Sequence, residues 1–242
     1  MERRRSDARW HSRRLWSVSR QPRGRMSAPV RSVVVSSLTL SGAVGVFGIS
    51  FGVLSVSAGA SVAQTCALSL FTFTGASQLS AMSVIATGGT VGAALGGALL
   101  LAARNFVYGL ALAPIIKGSL RTRLLAAHFV IDETTAMTTA QTDPHLRKIA
   151  FWTTAFALFS FWNLGTLIGA LLGNGIDPQK YGLDVAFTAA FVAMLAPHVR
   201  SSQGRQAAAL GAVICLVLIP SAPIGLPILA AGLAVFIGLR RS

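Results

Sequence analysis

The chain has 242 residues, of which 53% are hydrophobic and only 12% are charged, and its mean hydropathy is +0.64. Soluble domains contain roughly 25% charged residues, so this composition excludes an ordinary soluble protein. The net charge is +14, and the two cysteines, Cys66 and Cys215, lie far apart in apolar stretches, which excludes a disulfide framework and a cysteine metal site.

The positive charge is concentrated at the N-terminus, where residues 1–31 contain 10 arginines against Glu2 and Asp7. Basic tails occur on nucleic-acid-binding proteins, but this pattern also fits a cytoplasmic arm that obeys the positive-inside rule. We adopt the second interpretation and expect no nucleic-acid partner. Residues 1–31 are then a disordered tail and residues 32–242 a membrane domain, with Met26 as an alternative start of translation.

Long apolar runs fill the remainder of the chain. A membrane span needs about 20 mainly apolar residues, and six segments qualify, the last three being short. These predicted spans are residues 33–58, 90–116, 146–173, 183–199, 206–220 and 223–239. The sequence therefore predicts an all-α, polytopic helical bundle with about six spans, placed in the plasma membrane (the inner membrane of a bacterial cell).

Two further segments, residues 62–87 and 124–141, are apolar but richer in Ser, Thr, Gly and Gln. We predict that they are broken or re-entrant and do not cross the membrane. If neither crosses, every basic loop falls on one side together with both termini, which are then cytoplasmic. A bundle of seven or eight complete spans is the alternative.

The sequence SLFTFTGASQLSAMS at residues 69–83 contains Gly75 within apolar surroundings. We predict a helix break there, because glycine tolerates an interruption and half-helix ends bind ligands at membrane depth. The candidate binding residues of this segment are Phe73, Gly75 and Gln78. The alternative is a continuous helix whose hydroxyl groups bond to its own carbonyls.

Arg104 and Asn105 lie in the middle of the segment 90–116, and Tyr108 lies one turn after Arg104 on the same face. A charge at this depth costs about 2.5–3.5 kcal/mol, so Arg104 requires a cavity or an acidic partner. We predict that Asp132 or Glu133 is that partner. Contact between Arg104 and the carboxylate of a bound molecule is an equal alternative.

Asp132 and Glu133 are two of the chain's 7 acidic residues. On a continuous helix through residues 124–141, His128 and Asp132 share a face with Thr135 and Thr139, while Glu133 points about 100° away. One acid then pairs with Arg104 and the other carries a proton, since burial raises a carboxyl pKa. The alternative is a surface helix with a solvated polar stripe.

Small-residue patterns predict close helix packing. Glycines recur every four residues at Gly88, Gly92 and Gly96, and again at Gly165, Gly169 and Gly173. The segment GISFG at residues 48–52 matches the G-x-S-x-G pattern of serine hydrolases, but that pattern needs a strand–turn–helix context. We interpret its glycines as sites of close packing or of a helix break, with an intramembrane serine hydrolase as an alternative.

Five stretches carry a family resemblance through their order and spacing. They are GISFGVLSVSAG (48–59), FTFTGASQLSA (71–81), RNFVYGLALAP (104–114), IDETTA (131–136) and FWNLGTLIGALLG (161–173). Together they resemble the AzlC-type permeases, the large subunits of the AzlC/AzlD, YgaZ-like branched-chain amino acid exporters. The family's Gln, Arg, Tyr and Asp-Glu positions match Gln78, Arg104, Tyr108, Asp132 and Glu133. This chain departs from the family in Asn105, where His is common, and in Ala102, where Asn often occurs.

The resemblance implies a secondary transporter, not an enzyme, that exports branched-chain and other hydrophobic amino acids without a cofactor. It also implies a small AzlD-type multi-span membrane subunit as partner. We expect protons as the coupling ion through the acid pair, and Phe71, Phe73 and Phe106 around the substrate's side chain. A non-transporting membrane scaffold subunit is the alternative.

Overall fold

The computed structural model describes residues 27–173, 192, 195–196, 198–222 and 226–235, which contain helices and no strands. The α-helices are α1 (Ala28–Ser57), α2 (Val62–Phe71), α3 (Gly75–Ala86), α4 (Val91–Leu112), α5 (Leu120–His128), α6 (Asp132–Thr139), α7 (Pro144–Leu172), α8 (Ser202–Leu218) and α9 (Leu226–Ala231). Two short 3-10 helices are His198–Arg200 and Gly232–Val235. The predicted all-helical class is confirmed over the described residues.

Three of the described helices, α1, α4 and α7, are long and apolar enough to cross a membrane. They coincide with the predicted spans 33–58, 90–116 and 146–173. The predicted span 206–220 corresponds to α8, which has only 17 residues. Most of the predicted span 183–199 lies outside the described residues, as do parts of 223–239.

The start of α1 shortens the predicted tail. The helix begins at Ala28 after Ser27, with a proline in its first turn, where proline is well tolerated. The last four residues of the predicted tail are therefore helical, whereas residues 1–26 lie outside the described part of the chain.

The most extensive helix packing among the described residues is between α1 and α7, and these two helices run parallel. Ser37 receives a hydrogen bond from Thr154 at 3.0 Å. Further along both helices, a Cβ atom built on Gly48 would lie 2.5 Å from the carbonyl oxygen of Trp162, and one on Gly165 would lie 2.5 Å from that of Gly45. Only glycine allows this approach, so the packing role predicted for the Gly165 series is confirmed.

The GISFG segment belongs to this same contact, and α1 continues through it without a break. Ser50 is 6% exposed and lies within a helix, not at a strand–turn–helix elbow. The hydrolase alternative therefore lacks the structural context that its motif requires.

The other glycine series does not form such a groove among the described residues. Gly88 has a φ of +83° and lies in the turn before α4. Within the described ranges, a Cβ on Gly92 would meet only the Thr90 hydroxyl, at 3.9 Å, while one on Gly96 would face the side chain of Leu229. The predicted three-glycine packing face is wrong here because its first member is a turn residue.

Helix α4 runs antiparallel to α7. Arg104 and Trp162 line the same cavity. Two turns later on α4, Leu112 lines a second pocket together with Val130, and the adjacent Phe129 contacts Phe156 on α7 with ring centroids 5.4 Å apart. Residue numbers therefore rise along α4 as they fall along α7.

Both segments predicted to be broken are interrupted. Segment 62–87 forms α2 and α3 separated by Thr72–Thr74, and segment 124–141 contains α5 and α6 separated by Phe129–Ile131. The break predicted at Gly75 is confirmed, since α3 begins at that residue. The start of α7 was also predictable: the Asp143 carboxylate accepts bonds from the first N–H groups, as an N-cap residue before proline does.

Candidate functional site

A cavity of about 270 Å³ lies where the two interruptions meet the long helices. Its volume is near the lower end for small-molecule sites, roughly 300–1,000 Å³. The polar part of its lining consists of Thr74, Gly75, Arg104, Asn105, Asp132 and Glu133, and the apolar part of Val44, Phe47, Ala76, Leu79, Ile131 and Trp162. Helices α3 and α6 both begin at this cavity, so two helix N-termini converge on it.

Arg104 and Asp132 form an ion pair, with 2.6 Å between Nη2 and Oδ2 and side chains 30% and 29% exposed. The prediction that an acid of this pair neutralises Arg104 is confirmed, and the acid is Asp132. Tyr108, one turn along α4, interacts with the same carboxylate. The pair gives Arg104 the counter-charge that an arginine in an apolar helix requires.

Glu133 lines the cavity without an ion-pair partner among the described residues. Its removal from water raises the pKa of the Glu133 carboxyl, and the neighbouring Asp132 raises it further, against smaller lowering effects of its own backbone N–H and of Arg104. The two adjacent acids therefore differ: Asp132 is paired with Arg104, whereas Glu133 takes up a proton more readily than an exposed glutamate.

The start of α3 presents uncapped backbone donors to the cavity. The Thr74 side chain makes no capping hydrogen bond, although its carbonyl accepts the Ser77 N–H at 2.8 Å. The first N–H groups, those of Gly75 and Ala76, carry the positive end of the helix dipole. This end of the cavity favours an anion.

Gln78 acts on the break from outside the cavity. It is 2% exposed, and its Nε2 donates to the Leu68 carbonyl oxygen at 2.9 Å, which ties α3 to the last turn of α2. Gln78 does not belong to the cavity lining. The residue predicted to bind substrate therefore braces the interruption.

The three phenylalanines predicted around the side chain of a bound molecule lie elsewhere. Phe73 is 3% exposed and packs against His128 and Phe159, with ring centroids 6.1 and 5.1 Å away. Phe71 and Phe106 are 79% and 72% exposed on the outside of the helices. Val44, Phe47 and Leu79 form the apolar wall in their place.

The predicted face shared by His128 and Asp132 is wrong, because the helix ends between them. The Thr134 hydroxyl donates to the Phe129 carbonyl at 2.7 Å and accepts the Ile131 N–H at 3.1 Å, which stabilises the interruption. His128 then packs among aromatic rings, while Asp132 opens a new helix at the cavity.

Four residues that line the cavity were not among the predicted binding residues. They are Val44, Phe47, Thr74 and Trp162. Trp162 carried the one available signal: a large side chain with a polar N–H three residues before Gly165, the first glycine of the predicted packing series. No sequence signal marks Val44 or Phe47, whose role depends on how α1 is rotated against its neighbours.

The fold and the cavity define a class: a polytopic helical membrane protein with a central site of mixed charge between broken helices. Residues 39–176, more than half of the chain, match the family described as AzlC protein. The chain belongs to the AzlC family, a family of membrane permeases. All residues that line the cavity lie within the matched region.

Two similar proteins come from Helicobacter pylori, and both are described as an uncharacterized membrane protein. The one from strain ATCC 700392 / 26695 is 27% identical over 176 residues, covering 71% of this chain and 77% of the relative. The one from strain J99 / ATCC 700824 is 26% identical over the same coverage. No solved structure matches the chain.

Proposed function

We propose that the chain is a secondary transporter that exports branched-chain and other hydrophobic amino acids, as the large subunit of a two-component permease. The supporting observation is the cavity, which joins an apolar wall to a polar end that holds charges of both signs. A hydrophobic amino acid has the same division, because a carboxylate and an ammonium group sit beside an apolar side chain.

In this proposal the substrate carboxylate binds at the start of α3. The N–H groups of Gly75 and Ala76 face it with the positive end of the helix dipole, an arrangement that transporters use for substrate carboxylates. Arg104 adds a nearby positive charge, and its buried Nε has no hydrogen-bond partner among the described residues. The ion pair with Asp132 holds the guanidinium in position.

The substrate ammonium group binds Glu133, because Asp132 is already engaged by Arg104. The apolar side chain then contacts Val44, Phe47 and Leu79. This arrangement gives the two adjacent acids separate roles: Asp132 positions Arg104, and Glu133 binds the ammonium group of the substrate.

We also propose that α2–α3 and α5–α6 are re-entrant hairpins that enter from opposite sides of the membrane. Since α1 and α7 are parallel and α4 is antiparallel, α4 supplies the one return crossing between them. The half-helices have 8 to 12 residues, or about 12–18 Å at 1.5 Å per residue. That is about half of a 30 Å hydrocarbon core, so both breaks lie near mid-depth.

The charges give this topology an orientation. Lys117, Arg121, Arg123 and Arg147 all lie near the end of α4 and the start of α7. The positive-inside rule makes that side cytoplasmic, together with the start of α1. Hairpin α5–α6 then faces the cytoplasm and α2–α3 faces outward, so movement of one hairpin at a time gives alternating access.

Proton coupling follows from competition at Glu133. The ionised carboxylate binds the substrate ammonium, and protonation abolishes that attraction. Because burial raises the pKa of Glu133, a proton displaces the amino acid at a milder pH than it would at an exposed glutamate. The amino acid is released on the more acidic outer side, and the protonated site then returns inward. One cycle therefore exchanges the amino acid for a proton.

The test is leucine export from cells that are supplied with Leu-containing dipeptides and express the chain with its partner subunit. Export above the level of cells lacking the chain is expected, and its absence contradicts the proposal. If Asp132→Asn and Glu133→Gln both export leucine at the wild-type rate, the assignment of coupling to this acid pair is wrong. Asp143→Asn is the matched control, since asparagine caps a helix as well as aspartate does.

We propose an AzlD-type small multi-span membrane protein as the partner, on the basis of family membership. The supporting genomic observation would be a short reading frame for such a protein immediately beside this one. Co-purification of the two chains from membranes after mild solubilisation tests the assembly, and separate elution of two fully expressed chains contradicts it.

A further inference from the structure

We propose that Trp162 sets the upper size limit for the substrate's side chain, and that its contact with Gly75 fixes that limit. The inference rests on the proposed function, because size selection requires that the cavity bind an amino acid. It assigns a specificity role to two residues that lie on different helices and meet at the cavity.

The indole ring is a fixed part of the cavity wall. Trp162 is 4% exposed, and its ring stacks on the fully buried Phe51 with centroids 6.1 Å apart and an interplanar angle of 23°. Its backbone is held by the close α1–α7 contact, where a Cβ on Gly48 would come within 2.5 Å of the Trp162 carbonyl oxygen. The ring therefore has no room to retreat from a larger substrate.

Gly75 fixes the ring on its other side. A Cβ built on Gly75 would lie 2.9 Å from Cη2 and 3.3 Å from Cζ3 of the Trp162 ring. The indole thus lies directly against the start of α3, where the proposed site for the substrate carboxylate is. This one contact sets the distance between the proposed carboxylate site at the start of α3 and the Trp162 ring. A side chain at position 75 must therefore displace either the ring or α3.

Packing alone does not favour an indole at this position. The Nε1 of Trp162 is buried without a hydrogen-bond partner among the described residues, whereas buried Trp N–H groups usually find one. A phenylalanine would fill an apolar wall without leaving a buried donor unpaired. The larger ring is therefore explained better by the shape it gives the cavity.

Two substitutions at this contact are expected to change selectivity in opposite directions. Trp162→Phe enlarges the cavity and favours phenylalanine and methionine over leucine. In Gly75→Ala the added Cβ occupies space between the start of α3 and the ring, which narrows the cavity and favours alanine and valine over leucine. Since one methylene in an apolar pocket changes affinity about tenfold or more, each ratio is expected to shift by about tenfold, and the double variant is expected to return towards the wild-type ratio.

The assay is competition by unlabelled alanine, valine, leucine, methionine and phenylalanine against labelled leucine on the purified full-length chain, together with its proposed partner subunit. Trp152→Phe is the matched control on the same helix, because Trp152 packs against Phe151 and Phe156, outside the cavity. Gly92→Ala is the control for glycine, because among the described residues only the Thr90 hydroxyl lies within 4 Å of the added Cβ.

Opposite shifts in the two single variants, with partial recovery in the double variant, support the size limit. An equal loss of affinity for all five amino acids, or unchanged ratios, overturns it and leaves Trp162 a purely structural residue. If Trp162→Phe does not fold, Gly75→Ala alone tests the size limit: a shift towards the smaller competitors supports it, and unchanged ratios overturn it. Leucine binding with unchanged ratios refutes the size limit alone, whereas a wild-type chain that binds none of these amino acids refutes the proposed function as well.

Discussion

The Arg104–Asp132 ion pair is expected to contribute a coupling energy of about 1–3 kcal/mol to stability. Its atoms are 2.6 Å apart, and the side chains are 30% and 29% exposed. Fully exposed pairs contribute about 0.2–1 kcal/mol, whereas breaking a buried pair costs about 3–5 kcal/mol. Partial exposure to the cavity places this pair between the two cases.

A double-mutant cycle isolates that energy. Asp132→Asn leaves the guanidinium unpaired and Arg104→Gln leaves the carboxylate unpaired, so each single change destabilises the chain. At about 2–4 °C per kcal/mol for a chain of this size, each unfolding midpoint falls by about 2–12 °C. The double variant, with no charge left unpaired, is expected to be more stable than the two single effects predict.

The assay is loss of the helical circular dichroism signal on heating in detergent, at one heating rate for all variants because such unfolding is often irreversible. Asp143→Asn combined with Arg147→Gln is the control cycle: these residues are one turn apart on α7 but form no ion pair. Purely additive shifts for Arg104 and Asp132 would refute the reasoning, since they would mean that neither charge depends on the other.

Three other changes test separate parts of the fold and site. Leucine binding is expected to weaken as the pH falls through the raised pKa of Glu133, and Glu133→Gln should remove this dependence in binding assays from about pH 5 to 8. Gly48→Ala places a Cβ 2.5 Å from a carbonyl oxygen of α7 and should cost about 1–3 kcal/mol of thermal stability. Gly42→Ala should not destabilise the helix, because the added Cβ would meet nothing within 4 Å in the part of the chain that the structure describes. Gln78→Leu removes the 2.9 Å bond to the Leu68 carbonyl; we expect a loss of about 0.5–1.5 kcal/mol and slower leucine export, and unchanged export with normal expression would contradict a bracing role.

The two interruptions differ in how far the sequence predicts them. Gly75 is a local signal, because glycine within an apolar helix tolerates a break, and α3 begins at that residue. The segment Phe129–Ile131 contains neither glycine nor proline. Its interruption depends on the hydroxyl of Thr134 and on rings contributed by α7, and these contacts exist only after the helices have packed.

The polar and apolar halves of the cavity were also unequally predictable. A lone arginine in an apolar helix needs an acidic partner. Because few acids lie outside the tail, few residues could be the ion-pair partner of Arg104. Many residues can supply an apolar wall, and the rotation of each helix decides among them. That is why Phe106 was expected in the site but lies outside, whereas Phe47 lines it.

The polar side chains at the interruptions explain how a broken helix can persist at the proposed membrane depth and still leave donors for the proposed ligand. Irregular backbone is tolerated there only when it is buried in protein or lines a cavity and its groups are satisfied. At the first break, the Leu68 carbonyl accepts bonds from the Thr72 hydroxyl and from Gln78; at the second, Thr134 satisfies the carbonyl of Phe129. These side chains satisfy the ends of α2 and α5, so the uncapped N–H groups at the start of α3 are left to the cavity, where the proposed substrate carboxylate is their partner.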